Sequence, residues 1–487
     1  MKQSRGVLLP PLDAGRVRRA DLYGALRTAV LDGVLAPADR LPSTRCAAAD
    51  YGVSRGLMEE VFAQLTEEGL FVRAVGRGTF IASEVAALPK PAHANGRPAS
   101  SMRGLSRRGL TAAANAACRE PDRPRAFNAG TADTSEFPWK IWCRLQLRAT
   151  RELGREALSF ADPRGLPELR AAIARYLAQF RGIRCTSGQV IVFSSAQQAL
   201  NALALLLLQR GDAVWIEDPC YLGARAAFEL SGAVAVPVAV DDDGLIVEAG
   251  IRRAPRARLA YVTPSNQYPT GAALSLERRI RLLRWAARHD AWIVEDDYDG
   301  EFRYAGQPLA SLYSLDVRLR AIYLGTLNKS MFASLRLAYA VVPEELVELL
   351  ANIRTQMDGF SPAVPQMAMA KFMEESYFAS HLRRMRAVYG AKRKALIDGL
   401  APLAARGWNW SANPAGMHLL ARHPDGGYVR KVGQASALDV TLLGRYRVAK
   451  ARQDGLFLRF GALDPESIEA GVQKLVRAAG CTAVTRL

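Results

Sequence analysis

Paired cysteines are missing from this chain of 487 residues. Its six cysteines (Cys46, Cys118, Cys143, Cys185, Cys220 and Cys481) are scattered, and none stands in a Cys-x-x-Cys pair. Neither a disulfide framework nor a zinc site is expected, and the thiols read as those of a reduced intracellular protein. Histidine is scarce: there are five, equally dispersed, so no clustered metal centre is expected. Long hydrophobic runs are absent as well. The most apolar stretch, residues 199–208, is about half a membrane span and carries Asn201. The opening MKQSRGVLLPPLDAGRVRR holds no apolar run of signal-peptide length. These absences lead to the expectation of a cytoplasmic protein with no membrane partner and no metal.

Aromatic side chains are missing from one stretch altogether. Residues 84–126 contain none, against five prolines, eleven alanines, eight basic and three acidic residues. Such a segment buries too little apolar surface to order itself, so it reads as a flexible basic linker. It separates a module of residues 1–83 from a block of residues 127–487, and no internal repeat is visible. Charge of one sign prevails: 65 basic against 47 acidic residues give a net +18 and a pI near 9.9. That balance fits a polyanionic partner. The excess is unevenly placed, with +2 on residues 1–83, +5 on 84–126 and +11 on the rest. Nucleic-acid binding by the first module must therefore rest on local arrangement.

In residues 21–34, Leu22, Ala25, Leu26, Ala29 and Val30 share one helical face. Pro42 and Ser43 open a second helix over 43–50, and Gly52-Val53 makes a tight turn. Ser54 caps a third helix over 55–68, with Leu57, Val61, Phe62 and Leu65 inward. Gly69 ends it, and 70–75 with 79–82 read as strands joined at Gly76-Arg77-Gly78. Helix, helix, turn, helix, hairpin is a winged helix-turn-helix, an α+β module. It exposes Ser54, Arg55 and Gly56 where base edges and phosphates lie, puts Arg45 and Arg77 within reach of phosphate or the minor groove, and makes Ser43 a further DNA-binding candidate. The competing reading is a protein-binding module whose arginines are merely solvated.

The residues carry a resemblance here. Leu41-Pro42-Ser43-x-Arg45, Gly52-Val53-Ser54-Arg55, Leu65, Glu68-Gly69 and Gly76-x-Gly78-Thr79 resemble the DNA-binding domain of GntR-type bacterial regulators. The resemblance implies double-stranded operator DNA as partner. Gly56 and Leu57 depart from the polar residues often found after the Ser-Arg pair.

Residues 127–487 alternate β-rich runs (190–193, 213–216, 259–262, 292–295, 321–324 and 335–342) with amphipathic helices such as 276–288. That is the signature of a mostly parallel α/β sheet, whose ligands sit at the carboxyl ends of the strands. Lys329 falls just beyond one run, with Arg336 seven residues on. Asp296 and Tyr298 fall beyond another, and Ser194-Ser195-Ala196-Gln197 opens a helix after a third. A lysine for a Schiff base, a carboxylate for a pyridinium, a helix N-terminus for a phosphate and a flanking arginine are what pyridoxal 5'-phosphate requires. Singly, each has a bland reading: a solvated lysine, a helix cap, an ion-pair partner.

The runs GDAVWIEDPCY, YVTPSNQYPTG, WIVEDDYDGEFRY and YLGTLNKSMFASLRLAY resemble fold-type I aminotransferases. With the winged helix in front, the whole chain is similar to the MocR subfamily of GntR regulators. The resemblance implies Lys329 as the aldimine lysine and Asp296 as the partner of the pyridine nitrogen. It implies Tyr298 beside the phenolic oxygen and Tyr221 stacked on the ring. Ser195, Ala196, Gln197, Thr326 and Arg336 would form the phosphate cup. It also implies a head-to-tail homodimer.

Several positions depart from the pattern. Phe160 replaces a tyrosine whose hydroxyl often reaches the partner's phosphate. Tyr268 stands where aminotransferases place an asparagine, and Asn328 replaces a serine. Arg459 lies two residues beyond the usual carboxylate-binding arginine. Two residues along a strand keep the same face, so it remains a candidate for the effector, the alternative being a solvent-facing arginine at a sheet edge. Three functions follow. The first is a regulator sensing an amino compound through aldimine chemistry at Lys329. The second is a working aminotransferase carrying a DNA module. The third is a regulator sensing the cofactor itself to control its synthesis.

Overall fold

The computed structural model describes residues 9–10, 17–87, 104–114, 126–128, 130–159, 161–307, 309–411, 413–449 and 451–481. The chain forms two compact units, Met1–Leu105 and Ser106–Leu487.

In the first unit, α1 (Arg19–Leu31), α2 (Thr44–Asp50) and α3 (Arg55–Glu67) precede an antiparallel hairpin of β1 (Phe71–Ala74) and β2 (Gly78–Ile81). Leu22, Leu26, Val30, Val61, Phe62, Leu65, Phe71 and Ile81 form its core. Leu57, expected inward, is half-buried, and Met58 takes the fully buried place.

The second unit starts with α4 (Arg107–Ala114), α5 (Trp139–Leu153) and α6 (Pro167–Phe180). There follow β3 (Val190–Phe193), α7 (Ala196–Leu207), β4 (Ala213–Asp218), α8 (Leu222–Ser231), β5 (Val234–Asp241), β6 (Gly244–Leu245), α9 (Val247–Arg253) and β7 (Leu259–Val262). Then come α10 (Leu276–His289), β8 (Trp292–Asp297), α11 (Leu312–Leu315), β9 (Ala321–Thr326), β10 (Ala338–Val341), α12 (Glu344–Met357), α13 (Ala363–Glu374) and α14 (Tyr377–Ala404). A smaller lobe adds β11 (Asn409–Trp410), β12 (His418–His423), α15 (Gly426–Ala435), β13 (Thr441–Leu442), β14 (Asp454–Arg459) and α16 (Pro465–Ala478).

The large sheet runs β3-β10-β9-β8-β7-β4-β5-β6. Strands β4, β5, β7, β8 and β9 are parallel, and β10 opposes both β3 and β9. Strand β3 therefore runs with β9, and the carboxyl ends of β3, β4, β7, β8 and β9 lie along one edge. Both faces are buried. Val214, Ile216 and Tyr261 pack on one side, and Trp215, Ala260 and Val262 on the other, as a sheet covered by helices requires. A second, antiparallel sheet, β11-β12-β14-β13, builds the smaller lobe. The sequence reading did not foresee it, nor β5.

The run expected as a strand over 335–342 begins only at Ala338. Residues 333–335 form a 3-10 turn and Arg336 is left-handed, with φ 55°. The stretch 84–126, expected to lack order throughout, contains α4, which lies against α8.

Candidate functional site

The first unit presents its candidate residues on its surface. Ser43 and Ser54 cap α2 and α3, each hydroxyl oxygen accepting a backbone N–H at 3.2 Å, from Cys46 and Leu57. Arg45, Arg55 and Arg77 are exposed, and Arg77 rides on the hairpin turn, where Gly76 and Gly78 take positive φ. A groove of about 810 Å3 runs between α3 and the hairpin, lined by Arg40, Ser43, Glu59, Arg73 and Thr79 among others.

The second unit gathers its candidates at the strand edge. Asp296, the penultimate residue of β8 and not beyond the strand as expected, is buried and accepts the Tyr261 hydroxyl at 2.7 Å. Burial pushes its carboxyl up to about 6, against the Tyr261 hydrogen bond and the Lys329 charge. Lys329 follows β9, and its ammonium donates to the carbonyl of Gly130. Tyr298 donates to the Asn266 carbonyl at 2.8 Å and accepts from the Asn266 amide at 3.1 Å. The same amide meets both oxygens of buried Asp299, at 3.0 and 3.2 Å. Burial raises Asp299 to about 7. Gly416, at φ 82°, closes over this cluster. Any Cβ there would overlap Asn266 and Asp299, and the positive φ already disfavours one.

The phosphate-cup candidates stand nearby. Ser195 caps α7, accepting from Gln198 at 3.1 Å, and the helix N-terminus at Ala196 and Gln197 follows β3 directly. Such an end offers backbone N–H groups and a positive dipole to an anion. Tyr221 opens α8, its hydroxyl 3.5 Å from the Gln197 carbonyl oxygen, and Gln197 also donates to the Gly223 carbonyl. Thr326 ends β9. Its hydroxyl oxygen accepts from the Asn328 N–H at 3.3 Å, while the Asn328 side chain accepts from Leu337 N–H at 3.0 Å. Asn328, read only as a departure, thus ties the Lys329 loop to the loop carrying exposed Arg336. Phe160 lies outside the described residues.

Tyr268 is enclosed edge-on by Tyr221, Tyr298, Tyr446, Phe457 and His418, with ring centroids 5.3–5.7 Å away. Arg459 is on β14 between β12 and β13, with its guanidinium 5.6 Å from the Phe457 ring centre. It is half-buried on an inner strand, which rules out the solvent-facing edge position. Opposite it in the ladder stands His418, which sequence reading missed. His418 is buried, lies parallel to Tyr298 at 6.2 Å, and its Nε2 has no hydrogen-bond partner among the described residues. Burial, with the charges of Lys329, Arg459 and Arg393, pushes it down to about 3, so it is a neutral imidazole at physiological pH. Asn266 also escaped notice, although it stands within the quoted YVTPSNQYPTG run.

The donor set fits pyridoxal phosphate. A buried carboxyl held high by desolvation is relieved by a cationic ring nitrogen. Lys329 follows the neighbouring strand, and the α7 N-terminus and Arg336 adjoin β3 and β10 at the same edge of the sheet. Among the described residues there is no cluster able to hold a metal and no helix long and apolar enough to cross a membrane.

Comparison with known proteins agrees with both halves. Residues 132–469 match the family of aminotransferases class I and II, and residues 18–81 match bacterial regulatory proteins of the gntR family. The probable rhizopine catabolism regulatory protein MocR of Rhizobium meliloti is 36% identical over 95% of this chain and 94% of its own length. The pyridoxine biosynthesis transcriptional regulator PdxR of Corynebacterium glutamicum is 30% identical over 91% and 92%. Among solved structures, the α-aminoadipate aminotransferase LysN of Thermus thermophilus, complexed with N-(5'-phosphopyridoxyl)-L-leucine, superposes with a TM-score of 0.66. It is 28% identical and covers 73% of this chain and 91% of that one. The chain belongs to the MocR-type GntR regulators, in which a gntR-family DNA-binding domain precedes an aminotransferase class I and II domain.

Proposed function

We propose that this regulator holds pyridoxal phosphate at the strand edge of its large unit and reads a small amino compound there to set its affinity for operator DNA. The observation that carries the reading is the convergence of Lys329, Asp296 and the Asn266–Tyr298 pair on adjoining strand ends. When bound, the cofactor supplies an aldehyde that captures amines reversibly. Lys329 provides the resident amine, and Asp296 faces the ring nitrogen. Tyr298, oriented by Asn266, would hold the phenolic oxygen by its hydroxyl, and Tyr221 would supply an aromatic face for the ring. The α7 N-terminus with Ser195, Ala196 and Gln197, together with Thr326 and Arg336, takes the phosphate. Arg459 offers a cation to an acidic effector, beside the neutral imidazole of His418. Tyr268, in the place of the aminotransferase asparagine, fits sensing better than turnover.

Ser43, Arg45, Ser54, Arg55 and Arg77 form the DNA face. Domain limits of 1–83, 84–126 and 127–487, a head-to-tail homodimer and a cytoplasmic setting complete the proposal. If the two halves are coupled, effector and DNA must change each other's affinity by the same factor. Titrating candidate amines against the holoprotein with and without operator DNA measures that factor. Equal affinities together with release of a keto acid would favour the aminotransferase reading. DNA affinity that responds to cofactor alone would favour a cofactor sensor.

A further inference from the structure

The recognition face of α3 is unusually bare. Ser54 uses its hydroxyl oxygen as the helix cap, Gly56 has no side chain and open space around its Cβ position, and Leu57 turns against the module core. Glu60 is drawn to Arg19 on α1, at 3.8 Å. Besides Glu60, which also lines the groove beside α3, the groups left to reach a base edge from the first two turns are Arg55 and Glu59. They form an ion pair, Arg55 Nε to Glu59 Oε1 at 2.9 Å, and both are exposed. Glu59 also lines the groove between α3 and the hairpin.

This pair is poorly placed to stabilise the helix. A cation in the first turn opposes the helix dipole, and an acid is favoured N-terminal to a base rather than after it. An exposed i,i+4 pair contributes little to stability in any case. A carboxylate aimed at phosphates would weaken DNA binding, whereas one aimed at a base edge accepts from the cytosine N4 amino group.

We propose that Arg55 and Glu59 act as one base-reading unit. This deepens the regulator reading and rests on it. Glu59 holds the Arg55 Nε, so the two terminal guanidinium nitrogens face the major groove as a fork for guanine O6 and N7. The second Glu59 oxygen accepts from a neighbouring cytosine N4. The two side chains are about 6 Å apart along the helix, which brings neighbouring base pairs within reach of both. The operator half-site therefore carries a guanine and a cytosine adjacent to it or one step away.

The test selects binding sites from a randomised duplex pool with full-length holoprotein, for wild type, Glu59→Gln, Glu59→Ala and Arg55→Ala. Glu59→Gln is expected to move one position from cytosine to adenine, because an amide pairs with adenine N6 and N7. Glu59→Ala flattens that position, losing roughly five- to hundredfold of discrimination there. Arg55→Ala flattens the guanine. The proposal is overturned if Glu59→Gln and Glu59→Ala tighten binding to all sequences alike with the base profile unchanged, which would make Glu59 only a repulsive charge. A wild-type protein that selects no sequence at all overturns the regulator reading and this proposal with it.

Discussion

The two units place function differently with respect to their cores. In the first, Arg45, Arg55 and Arg77 stand in water, while Leu26, Phe62, Leu65 and Phe71 hold the fold. Different residues do the two jobs. In the second, Asp296, Asn266 and Asp299 lie inside the same packed layer that joins the strands, and removing one disturbs both site and fold. The ligands proposed for the two units explain the contrast. A polyanion is met by exposed charge at the surface, whereas a small molecule is held in a site from which water is excluded. Mutations should therefore separate binding from stability in the first unit and fail to separate them in the second.

The largest expected effect is all-or-none. Lys329→Ala should abolish the adduct that borohydride fixes between protein and pyridoxal phosphate, read by mass spectrometry. A persisting adduct would assign the amine elsewhere. Next in size, Arg55→Ala should weaken operator binding by about 1–3 kcal/mol while the unfolding midpoint stays unchanged. Operator affinity itself should fall steeply with salt in both proteins, since phosphate contacts release counterions. A lowered midpoint would break the division of labour drawn for the first unit.

Asn266→Ala should cost about 1–3 kcal/mol in denaturant unfolding, because it removes the side-chain amide that donates to buried Asp299 and to Tyr298. It should weaken cofactor retention at the same time. A change in retention with intact stability would show that the second unit also separates the two jobs.

The smallest effect is on pH. Asp299 and Glu217 are raised to about 7 and Asp296 to about 6, chiefly by burial. Carboxyls raised above their unfolded values bind extra protons in the native state, so their stabilising contribution is lost as pH rises through the folded values. His418, pushed down to about 3, works in the opposite sense, but only below about pH 6.5, where an unfolded histidine is protonated. Cofactor-free protein should therefore melt lower at pH 8 than at pH 6.5, by a few degrees. Bound cofactor should lessen the drop, since its ring cation favours ionised Asp296. A midpoint that rises over this interval would contradict the burial of these acids.

Much of this was legible in residue order. Ser54 caps its helix in both sequence and structure, and Ser43, read as the first residue of the second helix, is in fact its cap, because capping is decided within three residues. The strands under Asp296 and Lys329 were visible as apolar runs with chemistry at their ends, although β8 and β9 extend two residues further than those runs. Arg336 was misplaced onto a strand because its left-handed backbone is set by the turn from residue 333, which apolar pattern does not report.

Residue order alone fixes the succession of modules, the α/β class of the large one and the inventory of groups a pyridoxal site and a DNA face need. Each of these depends on contacts within a few residues, where propensity and periodicity act. Which distant groups meet follows from the packed fold. Gly130 receives the Lys329 ammonium across 199 residues. Asn266 joins Tyr298 and Asp299 under a glycine that admits no side chain. His418 faces Arg459 because β12 pairs with β14 in one register. Strand register and the crossing of loops are fixed by the packing of whole layers, and a one-residue slip of β12 or β14 would turn His418 or Arg459 to the other face.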